Sequence, residues 1–228
     1  MSFSKGKLIV IDGTDNSGKA TQTDFLVEKL AYFGFPVKKI DFPQYNTKSS
    51  GLIENYLNSK YGQAEDVNPY AASCFYAVDR FDASNKIKKW LEEGKIVIAD
   101  RYVTSNMAHQ GGKIDNAISR KIFFNWLFDL EYTIFGLPQP DLTVVVHVEP
   151  EISEVLGWQR QAKEWRDKVR DIHEENIKYL KKVEKAYLEI ANQYQDIVLI
   201  NATDQSKILP KSDIHDMIWE KVVKLILK

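Results

Sequence analysis

The stretch GTDNSGKATQ, positions 13–22, follows directly on the apolar run Leu8-Ile9-Val10-Ile11. A buried-strand pattern that runs into Gly-x-x-x-x-Gly-Lys and then into a helical pattern leaves few folds open. Gly13 and Gly18 let consecutive backbone N–H groups, those of Asn16 and Ser17 among them, point inward. The N-terminus of the following helix adds partial positive charge, so the turn suits a phosphate. Lys19 stands where it reaches the β- and γ-phosphates of a nucleotide. The motif departs at Ala20, which replaces the hydroxyl that usually meets Mg²⁺. Thr21 carries a hydroxyl, but the next position on a helix points ~100° away. Mg²⁺ is therefore expected to be held by nucleotide phosphates and waters, with Asp100 behind those waters, because the ion keeps much of its hydration. The bland alternative is an ordinary glycine-rich strand-to-helix turn.

Four more short apolar runs, at 37–40, 96–99, 143–148 and 197–200, resemble the first. Several are rich in Val and Ile without polar alternation, the pattern of parallel strands covered on both faces. Helical patterns separate them at 21–33, 69–91, 118–135, 171–194 and 212–227. In the first, Phe25, Leu26, Leu30 and Phe33 share a face, and Gly34 reads as a stop. Strands alternating with helices predict an α/β chain, a three-layer αβα P-loop fold around a five-stranded parallel sheet. Ligands of such sheets bind at the carboxyl ends of the strands. Those ends carry Asp12-Gly13, Asp41-Phe42-Pro43, Asp100-Arg101, Glu149-Pro150 and Asn201-Ala202.

At 228 residues the chain fits one domain, 1–228, with a small lid segment at about 152–172. The net charge of -1 gives no general attraction to nucleic acid or to an anionic membrane. The single Cys74 excludes an internal disulfide framework and fits a reducing cytoplasm. No run approaches the ~20 apolar residues of a membrane span, and, with MSFSKGK leading straight into a strand pattern, no signal peptide is expected.

Three further stretches converge on the loop: DFPQY (41–45), FYAVDRFD (75–82) and DRYVTSNMAHQGG (100–112). Together they resemble the thymidylate kinases, which phosphorylate dTMP, and the resemblance covers nearly the whole chain. It implies ATP and Mg²⁺ as co-substrates and assigns roles by position. Asp15 matches the acidic residue near the acceptor sugar and phosphate, and Phe42-Pro43, followed by Tyr45, matches the segment that shapes the acceptor pocket. Tyr76 matches the aromatic that stacks on thymine, and Arg80 the arginine at the base edge. Arg101 matches the arginine that holds the acceptor phosphate, while Ser105, Asn106 and Gln110 fall in the segment contacting base and sugar. Backbone around Asn201 and Ala202 is implied to lie near the adenine.

The residue types suit these roles. Arg binds phosphate oxygens in a bidentate manner, and an aromatic platform with a few polar groups reads a base. A monophosphate oxygen is already nucleophilic, so no catalytic His or Cys is needed. Singly, each feature has a plainer reading: Tyr76 beside Phe75 as core, Arg80 between Asp79 and Asp82 as a solvated ion-pair face, Asp100-Arg101 as capping.

The resemblance also divides by the source of the transition-state cation. The loop position that is arginine in some members is Asn16 here, whereas the charged segment 157–175 offers Arg160, Lys163, Arg166, Lys168 and Arg170. A lid-arginine arrangement is expected, with some of these residues forming ordinary helical ion pairs. Gln44-Tyr45 lacks the arginine often found after Phe-Pro, leaving Arg101 to carry the phosphate with Lys48 or the lid. His109 stands where tyrosine is common and reads either as a sugar neighbour or as a surface histidine. The family is commonly homodimeric, and FFNWLF (123–128) reads as a partner face or as core. Alternative readings are a kinase for another pyrimidine nucleotide and a catalytically weak nucleotide-binding regulatory module.

Overall fold

The computed structural model describes residues 6–163 and 177–227. Five strands form one parallel sheet: β1 (Lys7–Gly13), β2 (Val37–Asp41), β3 (Ile96–Asp100), β4 (Leu142–His147) and β5 (Ile197–Asn201). Their order is β2-β3-β1-β4-β5. The apolar runs explain the arrangement. In β1, Leu8 and Val10 point to one face and Ile9 and Ile11 to the other, and all four are fully buried.

One face packs with helices α3 (Pro69–Glu92), α4 (Val103–Gly111), α5 (Ala117–Phe128) and α7 (Ile177–Gln193), which bring Ala83, Ile87, Met107, Phe123, Val183 and Ile190 against Leu8 and Val10. The opposite face packs with α1 (Lys19–Tyr32) and α8 (Lys211–Ile226), through Leu26, Leu30, Ile214, Ile218 and Val222. The result is the expected three-layer P-loop architecture. Edge strand β2 alternates in burial and carries Lys38 and Lys39, which blunts its open side. Register sets the strand ends level: Asp41 pairs with Asp100, Ile11 with Asp100, Gly13 with Val146 and His147 with Asn201. Among the described residues no helix is long and apolar enough to cross a membrane.

Several expectations are revised. The face proposed for α1 narrows, since Phe33 is 57% exposed and stacks on Trp219 while Phe25 is half-buried, edge-on to His215. The 118–135 helix divides into α5 and a π-helical extension, Asp129–Ile134. Phe123, Phe124 and Leu127 lie in the core, so FFNWLF resolves as core.

Three helices were not foreseen: α2 (Gly51–Leu57), α4 and α6 (Pro150–Lys163). α4 has no polar face to reveal it, because Thr104, Ser105, Asn106 and Gln110 are buried alongside Met107 and Ala108. Part of the segment expected as a lid, at about 152–172, is α6; the remainder lies outside the described residues.

Candidate functional site

The phosphate loop leaves β1 at Gly13, whose φ of 144° and whose contact with the Val146 carbonyl (2.4 Å from where a Cβ would stand) admit no side chain. Gly18 precedes α1 in a left-handed conformation and offers no side-chain cap. The N–H groups of the first turn, at Lys19, Ala20 and Thr21, therefore remain open to an anion. Inside the loop, Thr14 Oγ1, Asn16 Oδ1 and Ser17 Oγ are buried without a hydrogen-bond partner.

Lys19 folds back over this concavity, donating to the Thr14 carbonyl at 3.2 Å and to Asp15 Oδ1 at 3.5 Å. Burial, with the Arg101 cation beside it, holds its pKa below the usual lysine range. An arriving phosphate would reverse that pressure. Ala20 is exposed and presents no hydroxyl. Asp100, at the end of β3, has its pKa raised by burial and feels Lys19 electrostatically. Among the described residues no three acidic, His or Cys groups converge to hold a metal unaided. A metal here would depend on phosphate oxygens and waters, with Asp100 the carboxylate that fits behind them.

Beside the loop opens a cleft that encloses about 530 Å³ of space, part of it open to solvent. Asp15, Phe42, Pro43, Tyr45, Tyr76, Arg80, Arg101, Ser105, Asn106 and Gln110 all line it, together with Leu57, Tyr102 and His109. At the loop end, Arg101 pairs with Asp15 and reaches Ser105 Oγ at 3.2 Å and His109 Nε2 at 3.1 Å. Its own φ is +64° and its N–H donates to the Ile11 carbonyl, which turns the guanidinium off the strand end into the cleft. Burial opposes its charge, yet Asp15 raises its pKa well above the ordinary value. His109 is thus a cleft residue and not a surface one; Tyr179 of α7 donates to its carbonyl at 3.0 Å.

At the far end, Tyr76 stands edge-on to Tyr56, and Arg80 is 2% exposed. Arg80 Nε and Nη2 each meet a Glu131 oxygen at 2.5 Å. The plainer reading of Arg80 as a solvated ion-pair face is excluded by that burial. Asn106 Nδ2 donates to the Ser73 carbonyl at 3.1 Å, while Asn106 Oδ1 and Gln110 Oε1 are buried and unpartnered. Either of those acceptors can take a base N–H, and the Arg80 guanidinium is the donor available for a base carbonyl. Phe42 precedes a cis peptide bond to Pro43 and packs against Tyr102. Tyr45 is 51% exposed at the rim. Gln44 is turned away: its N–H donates to Asp79 Oδ2 at 2.9 Å and its carboxamide to the Asp79 carbonyl at 3.0 Å. Lys48 is exposed and does not line the cleft.

Beneath the loop, Asp12 is fully buried, and its Oδ1 accepts from Gly13 N, Ser105 Oγ and Tyr187 Oη at 2.9, 2.6 and 2.7 Å. This network ties α7 to the loop and to α4. Asp12 is marked in the sequence only as part of a strand end, and Glu131, Tyr187 and Ser153 are not singled out at all. Only Glu131 carries a signal there, as one of two carboxylates, with Asp129, inside the otherwise apolar run 123–135.

At the end of β5, Asn201 is exposed, while the N–H of Ala202 donates to His147 and its carbonyl accepts from Leu209. Asn201 Oδ1 meets His147 Nδ1 at 3.1 Å, and His147 Nε2 meets Glu184 at 2.7 Å. Of the basic residues expected to supply a cation, Arg160 and Lys163 stand in α6; Arg166, Lys168 and Arg170 lie outside the described residues.

Comparison with known proteins gives consistent results. A family profile described as Thymidylate kinase matches residues 11–214. The chain is similar to a thymidylate kinase of Homo sapiens, 30% identical over 65% of this chain and 64% of that protein, so the match spans just under two thirds of the human relative. It is also similar to a thymidylate kinase of Plasmodium falciparum, 28% identical over 97% of this chain and 91% of the other. Among solved structures, a thymidylate kinase from Candida albicans superposes with a TM-score of 0.71 at 26% identity, covering 96% of this chain and 92% of that one. That structure is described as revealing the origin of broad substrate specificity.

Proposed function

The chain belongs to the thymidylate kinase family, and we propose that it transfers the γ-phosphate of MgATP to dTMP, giving dTDP and ADP. One observation carries the reading. A single cleft has an aromatic-and-amide pocket at one end, formed by Tyr76, Arg80, Asn106 and Gln110, and an arginine beside the phosphate loop at the other. A nucleoside without a phosphate would leave Arg101 with no anion in the cleft beyond its internal partner Asp15.

In this reading thymine stacks on Tyr76, and its N–H donates to a buried amide oxygen of Asn106 or Gln110 while Arg80 donates to a base carbonyl. Phe42 and Pro43 wall the pocket and Tyr45 closes its rim. Arg101 exchanges part of its contact with Asp15 for the acceptor phosphate, holding the attacking oxygen in line. Asp15 and Ser105 position the sugar and the arginine. Gly13, Asn16, Ser17, Gly18, Lys19, Ala20 and Thr21 cradle the ATP phosphates, and Lys19 neutralises charge on the β- and γ-groups. Asp100 would order the waters of an ATP-bound Mg²⁺, which would supply neutralisation of the charge developing on the phosphates. The adenine is placed against the backbone around Asn201 and Ala202, which would read the donor base only loosely. We assign the transition-state cation to Arg160, Arg166 or Arg170 of the segment at about 152–172, because Asn16 offers no charge. The whole chain acts as one kinase domain with that segment as its lid, in the cytoplasm.

We place a homodimer contact on α3, where Val78 (44% exposed) and Phe81 (51%) form an apolar face that Phe81 joins to Phe135.

An ADP-release assay with MgATP, offering dTMP, dUMP, dCMP, dGMP and thymidine separately, tests the reading. A preference for dTMP over thymidine and the purine is expected. Nucleotide binding without turnover on any acceptor would instead make the chain a binding module on a kinase fold.

A further inference from the structure

Helix α6 does not stand clear of the phosphate loop. Ser153, with no exposed surface, donates through Oγ to the carbonyl of Asp15, 138 residues away in sequence. One turn later, buried Gly157 faces the Asn16 side chain. A Cβ at Gly157 would lie 2.6 Å from Asn16 Nδ2 and 3.2 Å from Asn16 Cγ. Ser153 and Gly157 are four apart, so both meet the loop from one face of the helix.

Gly157 has no conformational reason to be glycine. It lies inside a helix and outside the positive-φ group, and glycine there costs helix stability relative to alanine. The close approach to Asn16 is the remaining physical reason for it. Asn16 in turn sits at φ 59°, in the left-handed region that asparagine tolerates better than most L residues. Asp15 is gripped from two sides: α6 holds its carbonyl, while Arg101 and Lys19 hold its carboxylate.

We propose that Ser153 and Gly157 are positioning residues for phosphoryl transfer. They dock the first two turns of α6 on the phosphate loop and thereby fix the Asp15–Asn16 backbone against the donor phosphates. The inference rests on the function proposed above. It makes this part of α6 a wall of the donor site.

Gly157→Ala tests it, because a methyl group there must displace the Asn16 carboxamide while improving helix propensity. Expected is a loss of about ten-fold or more in kcat/KM for ATP, a dTMP KM within about two-fold of wild type, and a Tm equal to or above wild type. Removing the obstructed side chain should relieve the clash. The pair Asn16→Gly/Gly157→Ala is therefore expected to retain the kcat/KM of Asn16→Gly alone, so that the two effects are non-additive. Ser153→Ala, which frees the Asp15 carbonyl, should also weaken ATP use, with a smaller loss toward dTMP because Asp15 pairs with Arg101. Wild-type ATP kinetics in Gly157→Ala, or equal losses for both substrates with a lowered Tm, would overturn the proposal. Should wild type itself fail to phosphorylate dTMP, the functional reading falls, and the docking is judged by calorimetric binding of ADP. Weakening of about five-fold or more in Gly157→Ala supports it; unchanged ADP affinity sinks it.

Discussion

At the scale of single residues, the acceptor cleft is defined by charges that the protein has already paired. Arg80 and Glu131 are both almost fully buried and share two hydrogen bonds. Burial opposes the arginine's charge, and Glu131 more than restores it, raising the pKa above the ordinary value. Glu131→Gln would leave a buried guanidinium without its counter-charge. That change should destabilise the fold by about 3–5 kcal/mol, read as a lower urea midpoint. Replacing both partners, Arg80→Met with Glu131→Leu, should recover at least about half of the loss, since two uncharged side chains leave no orphan. The same double variant should lose its preference among pyrimidine acceptors. If the single and double variants unfold at the same midpoint, the pair contributes by shape and not by charge. The sequence made Arg80 visible through its motif but not its partner, because Glu131 reaches inward only where α5 passes into the π-helical turn. Two carboxylates, Asp129 and Glu131, in an otherwise apolar run were the one trace, and pairing across 51 residues is not written in local pattern.

Among the elements, the strands were legible and several helices were not, for one physical reason. Buried parallel strands announce themselves as Val- and Ile-rich runs, so β1, β3 and β4 stand out at once. A helix covered on all sides and lined with functional polar groups has no amphipathic stripe, and α4 hides Ser105, Asn106 and Gln110 in that way. The cleft residues were found through motif resemblance, whereas their supports came from α7, whose Tyr187 and Glu184 touch β1 and β4 across long sequence separations. The latter contact has a pH consequence. The hydrogen bond to Glu184 raises the His147 pKa above its ordinary 6.5, against the opposing effect of burial, with Asn201 and Glu149 adding to the rise. A base whose folded pKa is raised contributes stability that is complete below its unfolded value and lost as pH climbs through the folded value. The stability gap between wild type and His147→Gln should therefore be largest near about pH 6, on the order of 1 kcal/mol, and shrink toward about pH 9. Urea titrations across that range measure it. A gap that stays constant would mean that His147 holds Glu184 and Asn201 as a neutral ring.

For the molecule as a whole, α3 serves two surfaces at once. Tyr76 and Arg80 turn into the cleft, while Val78 and Phe81 turn outward as exposed apolar groups on the same turns. A single helix holding both faces couples acceptor binding to whatever covers its outer side. Burying that side against a second copy would restrain α3 along the turns that carry Tyr76 and Arg80. A stable dimer needs about 1,200–2,000 Å² of buried surface, with apolar anchors near its centre, and Val78 and Phe81 are of that kind. Introducing a charge at the centre, as Phe81→Asp or Val78→Asp, should shift sedimentation from dimer to monomer by desolvating an unpaired carboxylate at the contact. Because the variant side chains point away from the cleft, the chemical steps should survive. The expected signature is a rise in the dTMP KM as α3 loosens, with the ATP KM unchanged, since the phosphate loop is held by β1, α4, α6 and α7 and not by α3. Sedimentation as a monomer by the unaltered chain at micromolar concentration would remove the dimer. A dimer that persists in both charged variants would move the contact elsewhere on the surface, with the exposed Ile118 and Ile122 of α5 the next face to probe.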